Sequence, residues 1–229
     1  MLELLHNYYI NHMGPYPVCE IVIVMKSKKK LDFTLTSPTE SISVSCTESE
    51  VLHTLIESAY RLALPTLVST GHFHLHCSYV LYQGKAILFT GPSGIGKTTQ
   101  AELWRDYLGA TIVNGDASLI QKQEGGFYAL GAPVHGSSPY CEERSAPIAA
   151  LVTLEQAKEN TIATMEPFQA LSYCLPEIFL SDTWPDEVQE KMWENVDHFF
   201  QKVPVYHLCC RPDREAVELV RDTVISQST

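Results

Sequence analysis

The chain has 229 residues, 45% of them hydrophobic and 19% charged, with a formal net charge of −11. This length and balance give one large folded domain, or one domain with a small appendage, and exclude a disordered chain. The acidic balance argues against a nucleic-acid backbone or an anionic membrane surface as the main partner, and no apolar run reaches the length of a membrane span.

Residues 1–17 are aromatic and irregular, and Met1-Leu2-Glu3-Leu4-Leu5-His6 carries an early acid where a secretory signal would carry bases. The seven cysteines are scattered with no C-x-x-C, which reads as reduced thiols in a cytoplasmic protein. Glu20–Met25, Leu31–Leu35 and Ser41–Ser45 have strand character and are separated by turn residues, Ser37-Pro38 among them. They predict an antiparallel meander, with Lys26–Lys30 as a solvated connection. Thr47 and Glu50 have the spacing of a capping box for a helix carrying Leu52, Leu55, Ile56, Ala59 and Tyr60 on its apolar face, which Pro65 is expected to end. Residues 1–70 thus read as a β-rich extension with one helix, packed on a main domain of residues 71–229.

A strand over Phe73–Tyr82, a Gln83-Gly84 turn and the apolar run Ala86–Phe89 form the next hairpin. Directly after it, Gly91-Pro92-Ser93-Gly94-Ile95-Gly96-Lys97-Thr98 satisfies G-x-x-x-x-G-K-[ST]. Apolar residues then recur at helical spacing (Ala101, Trp104, Leu108) up to a C-cap glycine, Gly109. Strand, glycine loop and helix in that order define a phosphate-binding loop. The glycines let successive N–H groups converge on one anion, and the helix behind points its positive end at the same place. Gly91 through Thr99 are therefore the nucleotide-binding residues. Lys97 faces the terminal phosphates and Thr98 offers a hydroxyl to Mg²⁺.

Beyond the helix, Thr111-Ile112-Val113 reads as a short strand ending in Asn114-Gly115-Asp116. A carboxylate there can hold the metal or accept the proton of an attacking hydroxyl, so Asp116 is both a metal ligand and a catalytic candidate. Residues 118–122 and 127–130 form a hairpin about Gly125-Gly126. Residues 131–147 form a Gly-, Pro- and Ser-rich loop holding His135, Ser137, Ser138 and Glu142, and Ile148–Leu154 is a buried strand. Helices follow over 167–175 and 186–200. Pro204–Cys210 is a last strand and Pro212 opens a closing helix. His72, His74 and His76 alternate on the strand before the glycine loop and would share one face, a weak metal pattern. His76, nearest the loop, is the better candidate for orienting a carboxylate or binding phosphate. Arg211 is a candidate contact to a phosphate or base.

The runs His76–Val80, Gln83–Trp104 and Asn114-Gly115-Asp116 resemble the HPr kinase/phosphorylase-like kinases, especially the compact members encoded with peptide-modification systems such as the lasso-peptide serine kinases. The likeness is specific over residues 76–120 and looser through Ala146-Pro147, Leu154–Ala157 and Arg211-Pro212-Asp213. It implies an α/β phosphoenolpyruvate-carboxykinase-like P-loop fold with mixed sheets and flanking helices. It also implies ATP- and Mg-dependent phosphorylation of a serine-type hydroxyl on a peptide, protein or small molecule, and admits a homo-oligomer. By the same resemblance His76 pairs with a catalytic aspartate, for which Asp116 stands. The family carries paired aspartates where this chain has Gly115-Asp116, and its downstream arginine-and-glycine signature is missing. One carboxylate then serves both metal and proton, or the base is His76, His135 or Glu142. A nucleotide-binding regulatory or scaffold protein without transfer activity, and a kinase of free serine or another metabolite, are the rival readings.

Overall fold

The computed structural model describes residues 20–27, 30–36, 41–46, 51–136 and 138–225, with side chains over 41–44, 53–136 and 138–225. The expectations for residues 1–17, the Ser37-Pro38 turn, Lys28-Lys29, the Thr47/Glu50 capping box and Ser137 lie outside the described residues. The N-terminal meander is β1 (Glu20–Ser27), β2 (Lys30–Thr36) and β3 (Ser41–Cys46), all antiparallel. Helix α1 (Val51–Ser69) follows and runs through Pro65 where the sequence predicted a stop. An internal proline costs about 3 kcal/mol. Leu64, Leu67 and Val68 lie on both sides of it at 2% exposure or less, and burial of each is worth about 1.5–3 kcal/mol, so packing outweighs the break.

An eight-stranded mixed sheet forms the body. Its strands are β4 (His72–Tyr82), β5 (Lys85–Thr90), β6 (Thr111–Asn114), β7 (Ala117–Gln123), β8 (Gly126–Gly131), β9 (Ser145–Gln156), β10 (Thr161–Thr164) and β11 (Val205–Cys210). The order is β10-β11-β9-β5-β4-β7-β8, with β6 beside β4, and β8 also pairs with the start of β9. β4 and β5 are joined by a two-residue turn whose residues, Gln83 and Gly84, both have positive φ (50° and 75°), the geometry that matches strand twist in tight hairpins. β5, β9 and β11 are mutually parallel. Helix α2 (Lys97–Leu108) follows β5, α3 (Pro167–Cys174) and α4 (Asp186–Lys202) follow β10, and α5 (Arg214–Ile225) closes the chain.

Two cores result. The larger joins α1, α3 and α4 to the sheet through residues such as Leu64, Phe73, Leu119, Cys174 and Phe199. The smaller packs α2 and α5 on the sheet through Phe89, Trp104, Val152, Val217 and Val220. Three further boundaries differ from the sequence reading. β9 starts at Ser145, three residues early, because Ala146 is buried and residues 145–147 pair with β8. β10 was not expected, being four mostly exposed residues on the sheet edge. α5 starts at Arg214 because Asp213 caps it: its Oδ1 accepts the Ala216 N–H at 3.1 Å, which leaves Pro212 outside the helix. Among the described residues no helix is long and apolar enough to cross a membrane, and Cys77, Cys141, Cys174, Cys209 and Cys210 are free thiols.

Candidate active site

The glycine loop leaves β5 at Gly91 and enters α2 after Gly96. Gly91, Gly94 and Gly96 have φ of 138°, 78° and 116°, conformations that side-chain-bearing residues rarely adopt. A Cβ at Gly91 would meet the Leu154 carbonyl oxygen at 3.6 Å, whereas Gly94 and Gly96 face open space. No side chain caps α2 at Gly96, so the helix carries its first-turn amides of Lys97, Thr98 and Thr99 to the loop without a competing side-chain oxygen. Pro92, Ser93 and Thr99 are exposed and Ile95 half-buried. Lys97 is buried; its Nζ donates to Gly91 O at 2.6 Å and more weakly to Pro92 O at 3.4 Å. Gln156 at the end of β9 braces the loop, its Nε2 lying 3.4 Å and 3.3 Å from the carbonyls of Gly94 and Ile95.

His76, on β4 beside the root of the loop, has both ring nitrogens committed. Nε2 lies 2.7 Å from Asp116 Oδ1 and Nδ1 2.9 Å from Glu177 Oε2. Ionised carboxylates only accept, so a ring bonded to one at each nitrogen donates twice and is an imidazolium. The Asp116 hydrogen bond does most to raise the His76 pKa above its ordinary value, and Glu177 adds to it, against partial burial and the nearby Lys97 charge. The same bond holds the Asp116 carboxyl below its usual range. Lys97 Nζ stands 4.0 Å from Glu177 Oε2. Two cationic and two anionic side chains therefore meet at the foot of the glycine loop.

Asp116 is aimed by a turn built on Asn114, which is fully buried. Its Oδ1 accepts the N–H groups of Asp116 and Ala117, and its Nδ2 donates to the carbonyls of Ala132 and Val134. The Gly115 carbonyl accepts hydrogen bonds from Ser78 Oγ at 2.9 Å and Thr98 Oγ1 at 3.1 Å. A Cβ on Gly115 would run into the Ser138 hydroxyl and lie 2.8 Å from Ser138 Cβ, so this turn has no room for a second carboxylate. Gly136, at φ 53°, lies so close that a Cβ there would stand 2.6 Å from Asp116 Oδ2.

Hence the structure brings His76, Lys97, Thr98 and Asp116 into one neighbourhood, and Glu177, which the sequence did not single out, joins them. Glu177 sits in the 3₁₀ turn Leu175–Glu177 after α3, and a single acid after a proline in a short turn carries no pattern. The other candidates lie elsewhere. His72 Nδ1 is held by Leu67 O and Thr70 Oγ1, and His74 by the Tyr60 hydroxyl, with burial pressing its pKa down to about 4; the three alternating histidines do not converge on one point. Glu142 pairs with Arg144 on the surface. His135 faces the Ser138 carbonyl in the loop that backs Asp116. Arg211 is engaged by Asp213, Glu215 and the Lys158 carbonyl.

On the outer side of the loop an open cleft of about 370 Å³ is lined by Gly94, Thr99, Gln100, Gln156, Cys210 and Arg211, among others. For a magnesium ion the donor types are suitable: the Thr98 hydroxyl, bonded to the Gly115 carbonyl, and the carboxylate of the next residue, Asp116, are hard oxygen ligands.

The chain is similar to the HPr(Ser) kinase/phosphatase from Coxiella burnetii at 11% identity and a TM-score of 0.41, over 68% of this chain and 92% of that one. No curated protein sequence matches. The model of one protein family matches residues 41–213, well over half of the chain, and the chain belongs to that family, the SynChlorMet cassette protein ScmC.

Proposed function

We propose that the chain is a kinase that transfers the γ-phosphoryl group of Mg·ATP to a serine-type hydroxyl of a peptide, protein or small molecule. The observation that carries this reading is the convergence of Lys97, Asp116, His76 and Glu177 at the foot of a glycine loop with three left-handed glycines. The amides from Gly91 to Thr99 bind the phosphates, and the adjoining cleft is of a size to take the nucleoside. Thr98 and Asp116 hold the metal. When bound, the nucleotide supplies the phosphoryl group and the metal spreads its charge. Lys97 exchanges the Gly91 carbonyl for phosphate oxygens and offsets charge on the group in transfer. Asp116 orients the acceptor hydroxyl and takes its proton as the new O–P bond forms and the bond to the departing diphosphate breaks. His76, fixed by Glu177, keeps Asp116 ionised and aimed. Most of the rate enhancement is then positioning and electrostatics. The division into a β-rich extension (1–70) and a kinase domain (71–229) belongs to the same proposal.

Incubation with Mg·ATP or Mg·GTP and peptide, free serine or no acceptor tests this, with nucleoside diphosphate release and intact mass read together. A phosphate added to an acceptor in step with ADP supports the kinase, and ADP without an acceptor indicates an ATPase. Nucleotide bound and returned unchanged favours a regulatory nucleotide-binding module, the reading to which the absence of a carboxylate at Gly115 lends weight.

A further inference from the structure

We propose that Glu155, His207 and Cys209 form a binding site for a zinc-class divalent cation, separate from the glycine loop. The three lie on the paired strands β9 and β11, with Cys209 opposite Glu155 and His207 opposite Thr153. Side chains alternate along a strand, so all four project from one face. One donor atom from each of Glu155, His207 and Cys209 lies within 4.8 Å of the other two, and His207 Nε2 is 3.0 Å from Glu155 Oε2.

The hydrogen bonding around His207 allows the ring to bind a metal through Nε2. Thr153 Oγ1, buried, stands 3.3 Å from the Tyr206 carbonyl oxygen and 2.8 Å from His207 Nδ1. The hydroxyl can give its proton to that carbonyl or to the Met165 sulfur, 3.4 Å away, and then accept from Nδ1–H, the tautomer that metal binding through Nε2 requires. With the proton on Nε2 instead, the ring donates to Glu155 Oε2 at 3.0 Å, and an ion entering the site takes the place of that proton. A proton would serve two groups, but the site has three, and the third is a thiol. The Tyr173 ring packs edge-on against His207, with centroids 5.7 Å apart, and holds the ring in place.

Imidazole, thiolate and carboxylate together select zinc-like ions over magnesium or calcium. Metal–ligand bonds of 2.0–2.3 Å in a tetrahedron put donors roughly 3.3–3.8 Å apart, so small side-chain movements complete the site, with the Cys209 proton released to solvent. Glu155 is 61% exposed, so the fourth position is open to water. Gln156, which braces the glycine loop, follows Glu155 directly, so an ion here would also stiffen the strand behind the loop. The proposal does not depend on phosphoryl transfer.

Reduced full-length protein without nucleotide should take up one equivalent of Co²⁺ with a thiolate-to-cobalt charge-transfer band, and Zn²⁺ should displace it. Cys209→Ser should abolish the band and His207→Ala the tight uptake. Thr153→Val, which keeps the shape but removes the orienting hydroxyl, should weaken binding by about 10–100-fold. Metal-free circular dichroism and melting of each variant establish folding. No band in the parent protein, or a band that survives Cys209→Ser and so belongs to another thiol such as exposed Cys141, overturns the proposal.

Discussion

Glu177 lies 101 residues beyond His76 in the chain and holds its Nδ1 at 2.9 Å, opposite the nitrogen that bonds Asp116. The second carboxylate of the site thus comes from the turn after α3 and reaches Asp116 through the imidazole. Glu177→Gln keeps the shape and removes the charge. It should lower the His76 pKa, since one of the partners raising it is lost, and slow transfer by about 10–100-fold with nucleotide affinity little changed. Transfer kinetics beside an NMR titration of His76 check this; unchanged values of both would make Glu177 a bystander.

Lys97 is expected to be indispensable for transfer and dispensable for folding. Its two hydrogen bonds are to loop carbonyls rather than to the core. Lys97→Ala should reduce turnover by at least about 100-fold, the scale for losing a preorganised charge at the reacting group. The circular dichroism spectrum should not change. Full activity in the alanine variant would remove the proposed mechanism.

Gly136 offers a way to disturb Asp116 without touching it. A methyl group there would press on the carboxylate, 2.6 Å from Oδ2, and Asp116 cannot swing away without breaking its bond to His76. Gly136→Ala should therefore behave like Asp116→Asn, with nucleotide still bound and transfer nearly stopped. The left-handed backbone adds a stability cost of about 1–2 kcal/mol. Calorimetry with nucleotide, alongside transfer assays, separates this from general unfolding.

Asn114 is the structural counterpart. Its side chain makes four hydrogen bonds in a fully buried place, two to the turn that carries Asp116 and two to the loop beyond β8. Asn114→Ala leaves those partners unsatisfied, so a loss of about 2–4 kcal/mol is expected. The melting temperature should fall by about 5–15 °C.

The parts legible in the sequence were those with local signatures. The glycine loop announces itself because left-handed backbone needs glycine, and the helix behind it because Ala101 and Trp104 recur at helical spacing and are fully buried. His76 and Asp116 followed from their places on strands flanking that loop. Glu177 was not legible, because its partners are distant in sequence and its own turn has no period. Gly115 was legible only as a missing carboxylate; the reason, Ser138 filling the space, depends on how the loop folds back. Pro65 was misread because local propensity is one term and burial of the surrounding leucines is a larger one.

The pH behaviour tests the His76–Asp116 pair directly. Burial and the Lys97 charge oppose protonation of His76, yet its pKa is raised above the ordinary 6.5 because the Asp116 bond outweighs them. A raised pKa in the folded state means that the pair stabilises the fold in full below 6.5, and that this contribution is lost as pH climbs through the raised value. Asp116, held below its ordinary 3.8, works in the opposite sense: its contribution is present above 3.8 and lost as pH falls through the lowered value. The site should therefore be intact between the lowered Asp116 pKa and the raised His76 pKa, with transfer falling off on both sides. NMR of the His76 ring, assigned with His76→Gln, should give a titration midpoint above 6.5 that drops in Asp116→Asn. A midpoint at or below 6.5 in the parent protein would show that Asp116 is not its partner in solution.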